Sequence, residues 1–64
     1  MNQLKLYITE YIDGTARIEA KHLHYAFNDN FNADDVKPDE LTEKMRNIAK
    51  NCKRENLEAI FIIN

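Results

Sequence analysis

Between residues 3 and 11, apolar and polar positions alternate, Glu10 excepted. Leu4, Leu6 and Ile8 fall on one side, and Lys5, Tyr7, Thr9 and Tyr11 on the other. A period of two, carried by aliphatic, aromatic and β-branched residues, predicts a half-buried strand. Ile12-Asp13-Gly14 follows and holds the chain's only glycine. Asp-Gly between alternating segments signals a hairpin. Matching the faces selects its register. A two-residue loop would set Ile8 against Glu19 and Leu6 against Lys21. A three-residue loop pairs Tyr11 with Thr15, Ile8 with Ile18, Leu6 with Ala20 and Leu4 with His22. Because a slip of one residue turns every side chain to the wrong face, the second register is expected. It puts Gly14 at the left-handed position of a bulged turn.

The second strand is read from Ala16, Ile18 and Ala20, and extended toward residue 27. The same segment also carries a helical spacing, Ala16, Ala20, Leu23 and Phe27, with Thr15 as a potential N-cap. The strand reading is preferred because it satisfies both faces of the hairpin. The phase changes near His22, after which Leu23, Tyr25 and Phe27 become the apolar set, so a bulge or a twist that turns the strand's end is expected there. Residues 28–37 read as a loop rich in Asn and Asp, with Phe31 and Val36 pinning it to the core. Pro38 suits the first position of a helix. Leu41, Met45, Ile48, Ala49 and Cys52 then form one apolar stripe running to about residue 53. Asp39, Glu40 and Glu43 at its start and Lys50, Lys53 and Arg54 at its end complement the helix dipole. Residues 57–64 predict the last strand. Leu57, Ala59, Phe61 and Ile63 lie on one face, and Ile60 and Ile62 on the other.

The expected fold is therefore α+β, in the order β-β-α-β. It has a three-stranded, mainly antiparallel sheet with one helix packed on one face. A right-handed crossover between the second and last strands would make those two parallel. The last strand would then lie antiparallel beside the first, in the order 2-1-3.

Sixty-four residues form one small domain. A chain this short buries only about 60% of its unfolded surface. Its single cysteine, Cys52, allows no internal disulfide. A second apolar layer would relieve that shortage, so a homodimer is expected, through Tyr7, Tyr11, Ile60 and Ile62 or through the open edge of the last strand. The net charge of −2 does not announce a nucleic-acid binder. The first residues lack a signal-peptide pattern. No stretch approaches the roughly 20 apolar residues of a membrane span, and lone-cysteine usage fits a reducing compartment. The expected location is the cytoplasm.

Candidate chemistry is sparse. There is no phosphate loop, no Ser-His-Asp order and no zinc spacing, so no catalytic, cofactor-binding or metal residue is assigned and no enzyme is expected. His22 and His24 share a strand face as His-x-His, yet no second ligand pair follows. Cys52 lies on the helix's apolar stripe and reads as a small hydrophobe. The segment from Asp29 to Glu43 holds six carboxylates, and the segment from Lys44 to Arg54 holds five cations. Lys44, Arg46, Lys50, Lys53 and Arg54 are thus candidate nucleic-acid contacts. Tyr7 and Tyr11, with Tyr25 a further candidate, fall on the same outer face as Ile60 and Ile62 and form a candidate protein interface. By elimination the leading expectation is a small cytoplasmic regulator acting by contact with a protein partner. It would be an inhibitor, antitoxin-like or adaptor protein of the kind mobile elements often encode. A transcription-regulating or nucleic-acid-binding module is the alternative.

Overall fold

In the computed structural model, which describes residues 2–64, the hairpin forms in the register that face matching selects. β1 (Asn2–Glu10) pairs antiparallel with β2 (Ala16–Ala20), setting Ile8 against Ile18, Leu6 against Ala20 and Tyr7 against Glu19. The turn closes with Tyr11 N–H donating to Thr15 O at 2.8 Å and Gly14 N–H to Tyr11 O at 3.0 Å. Asp13 Oδ1 accepts from the Thr15 hydroxyl at 2.7 Å and from its amide at 3.0 Å. The hydroxyl bond foremost, with the amide bond, holds the Asp13 carboxyl below its ordinary pKa. Gly14 has φ +91°, and a Cβ there would also lie 3.3 Å from Pro38 Cγ. Gly14→Ala is expected to cost about 1 kcal/mol or more. An unchanged thermal midpoint would reject this account of the turn.

The β1–β2 ladder stops at Leu6↔Ala20, so the expected Leu4–His22 pair does not form. Nor does β2 continue toward residue 27. Successive turns carry the chain from His22 onward, with Tyr25 N–H donating to His22 O, Asn28 N–H to Tyr25 O and Phe31 N–H to Asn28 O. Leu23 and Phe27, read as an apolar strand set, stand 91% and 98% exposed, while Tyr25 turns inward. The helical alternative for this segment is also not what forms. Asn32 ends the strand, because its Oδ1 accepts the Ala20 N–H at 2.8 Å.

A short fourth strand occupies part of the expected loop. β3 (Ala33–Val36) pairs antiparallel with β2 through Ala16↔Val36 and Ile18↔Ala33, with an irregularity between the two pairs. Asp35 has φ 55° there. Phe31 and Val36 are buried, as their role of pinning this segment requires. Pro38–Glu40 forms a single 3-10 turn before helix α1 (Leu41–Arg54), and Pro38 sits at its start. α1 buries Ile48 and Cys52 fully and Leu41 and Met45 partly. β4 (Leu57–Ile63) completes the sheet.

The architecture is α+β, with one helix and a four-stranded mixed sheet of order β3-β2-β1-β4. The last strand does lie beside the first, but parallel to it, with Leu4↔Ala59, Leu6↔Phe61 and Tyr7↔Ile62. The reason is β3. It reverses the chain once more after β2, so the helical crossover connects β3 to a parallel β4 and thereby aligns β4 with β1. The core lies between the helix and the sheet face bearing Leu4, Leu6, Ile8, Ile18, Ala20 and Leu57. Among the described residues no buried side-chain polar atom lacks a partner, and no helix is long and apolar enough to cross a membrane.

Candidate protein-interaction face

Alternation along the strands leaves a second sheet face that no element among the described residues covers. On β1 it carries Lys5, Tyr7 and Thr9; on β2, Arg17 and Glu19; on β4, Glu58, Ile60 and Ile62. This face has two unlike halves. Over β2, Glu19 sits between Arg17 at 3.7 Å and Lys21 at 3.9 Å, and the Lys21 ammonium lies 5.0 Å from the centre of the Tyr7 ring. These groups form a solvated charged ladder with one cation–π contact. Over β1 and β4 the parallel register puts Ile62 beside Tyr7 and Ile60 beside Lys5. Tyr7, Ile60 and Ile62 are each half-buried by their neighbours alone. A shallow depression of about 280 Å³ opens next to Tyr7, lined by Gln3, Lys5, Lys21 and His22.

Three of the four residues expected at the interface are thus brought together. Tyr11 is not among them. It lies past the end of β1, exposed at the hairpin, about 14 Å along the chain direction from Tyr7. Tyr25 packs on the other side of the sheet, edge-on to Phe31 with ring centres 5.0 Å apart. Alternation alone does not reveal this, because Tyr25 lies in turns rather than in a strand.

The five candidate nucleic-acid residues all lie exposed on α1. At 100° per residue, Arg46, Lys50, Lys53 and Arg54 form a stripe opposite Ile48 and Cys52, with Lys44 off to one side. Among the described residues no carboxylate comes within ion-pair distance of any of them; Arg54 instead donates to Asn51 Oδ1 at 3.2 Å. The acidic segment is spread over the turns (Asp29), β3 (Asp34 and Asp35), the 3-10 turn (Asp39 and Glu40) and the start of α1 (Glu43).

His22 and His24 stack on one another with ring centres 5.4 Å apart, and His22 Nδ1 accepts the His24 N–H at 3.3 Å. Among the described residues no three His, Cys, Asp or Glu side chains converge as a metal would need. Cys52 is fully buried, and burial pushes its thiol pKa up, which disfavours the reactive thiolate. No protein-family model, curated protein or solved structure matches the chain.

Proposed function

We propose that the chain is a small, non-enzymatic, cytoplasmic regulator that acts by pressing the β1–β4 half of its outer face onto a protein partner, as an inhibitor, antitoxin-like or adaptor protein would. The observation that carries this reading is the contiguous Tyr7–Ile62–Ile60 strip, left open by a fold whose one helix lies on the other face. Aromatic and aliphatic anchors beside a shallow depression, rimmed by Lys5, Lys21 and Glu19, match the make-up of protein-binding patches. Rigid strands hold the strip, so little ordering is lost when a partner docks.

The test begins with a pull-down from the native host, followed by titration of the purified captured protein. Tyr7→Ala is expected to weaken its binding about tenfold or more, with little change in fold. Binding that is unmoved by Tyr7→Ala, but lost on Arg46→Glu with Lys50→Glu and falling steeply with salt, would replace this reading with a phosphate-binding role for the helix stripe.

A further inference from the structure

The two edges of the sheet are built differently. β3 is four residues long, interrupted by an irregularity, and bears Asp34 and Asp35, with Asp35 in a left-handed conformation. Short length, bulging and charge are the devices that keep an edge from pairing. β4 is neither short nor interrupted. It runs seven residues, Leu57–Ile63, with Glu58 its only charge. From Ala59 to Ile63 it is wholly apolar, yet Phe61 is only half-buried and Ile63 is 68% exposed.

Its backbone is also poised. Asn64 N–H donates to Ile8 O at 2.9 Å, continuing the ladder to β1. Alternate residues of a strand turn their backbone groups the same way. Glu58, Ile60 and Ile62 therefore face β1, and Ala59, Phe61 and Ile63 present their N–H and C=O groups to the open edge. We propose that this edge takes a second copy of the chain, antiparallel and centred on Phe61, to make one continuous eight-stranded sheet.

Face matching selects the register. Centred on Phe61, the pairs are Ile60 with Ile62, Ala59 with Ile63, and Glu58 with Asn64 of the second copy, so the single charge meets a polar neighbour. Centred on Ile60, Glu58 would face Ile62. A two-fold pairing closes the same edge on both molecules at once, which a foreign strand does not. The net charge of −2 opposes it only weakly. The contact is a strip about 23 Å long and 10 Å deep, smaller than a standard interface, so a weak, concentration-dependent assembly is expected. The two outer faces then merge, joining both copies of Tyr7, Ile62 and Ile60 into one doubled apolar platform. The pairing deepens the protein-binding reading and rests on it only for the use of that platform.

Sedimentation equilibrium between about 5 and 200 µM, with amide exchange at both ends of that range, tests the pairing. The dimer mass should appear with concentration. The amides of Ala59, Phe61 and Ile63 should gain protection with it, while those of Ile60, Ile62 and Asn64 stay protected throughout. Ile63→Pro removes an edge donor without touching the β1 ladder, and should give a folded monomer at every concentration. A monomer mass throughout, or a dimer in which the odd-numbered amides stay open, overturns the pairing. Because neither readout uses the partner, the two ideas fail separately. A monomer that still captures a protein in a Tyr7-dependent way sinks only the dimer, and a dimer without such capture sinks only the regulatory reading.

Discussion

Ile48→Ala is expected to leave much of the protein unfolded near 37 °C. Ile48 is the large aliphatic side chain through which α1 closes the core, and it belongs to one cluster with Leu6, Ile18 and Leu57. Removing three carbons from a site this enclosed costs about 2–5 kcal/mol, transfer and cavity terms together. A core of this size rarely supplies more than about 3–5 kcal/mol in total. The loss is thus comparable to the whole stability, and a urea titration at 25 °C should show a broad, early or absent transition. Ile12 serves as the control. It is an isoleucine too, but it stands wholly exposed at the hairpin, so Ile12→Ala should change the unfolding free energy by no more than about 0.5 kcal/mol. Near-native stability for Ile48→Ala would mean that the helix does not hold the sheet through this residue.

The contrast between those two isoleucines also marks what was legible in the sequence. The hairpin register was readable because turn chemistry and face matching are both local, and they agree at Gly14. The helix stripe was readable for the same reason, since 3.6-residue spacing and end charges point one way. The outer strip was readable in composition, as Tyr7, Ile60 and Ile62 fall opposite the core residues of their own strands. β3 was not readable. Ala-Asp-Asp-Val has two residues that disfavour strands and no alternation, and it pairs only because β2 offers Ala16 and Ile18 as partners. Missing β3 then inverted the direction assigned to β4, since the crossover rule was applied to the wrong strand pair. The placing of Ile60 and Ile62 on the outer face with Tyr7 did not depend on that direction, because alternation along β4 and its position beside β1 are the same either way. Tyr25 was misplaced because it sits in successive turns, where period-two logic has no meaning.

The segment from His22 to Phe31 depends on one side chain that local patterning undervalues. Asn-rich stretches read as loops because their side chains bond nearby backbone, and Asn32 does so here with partners on three separate parts of the chain. Its Oδ1 accepts from Ala20 N–H at 2.8 Å, and its Nδ2 donates to Tyr25 O and to Asn28 O, each at 2.7 Å. Asn32→Ala strands a donor at the buried Ala20 and frees two carbonyls. An unpaired buried donor costs about 1–3 kcal/mol and each of the two lost carbonyl bonds about 1, so the expected loss is about 3–5 kcal/mol. Exchange of the Ala20 amide should accelerate together with the fall in midpoint. Asn32→Asp separates the two halves of the network. It keeps the acceptor for Ala20 but turns a carboxylate toward two carbonyl oxygens, so it should rescue little at neutral pH. Protonation would restore a donor, and a carboxyl so placed has its folded-state pKa raised above the unfolded value. Its stability should therefore increase as pH falls through that raised pKa and be lost as pH rises through it. An Asn32→Ala protein with an unshifted midpoint, or an Asn32→Asp protein as stable as the parent at pH 7, would show that the turns hold without this side chain.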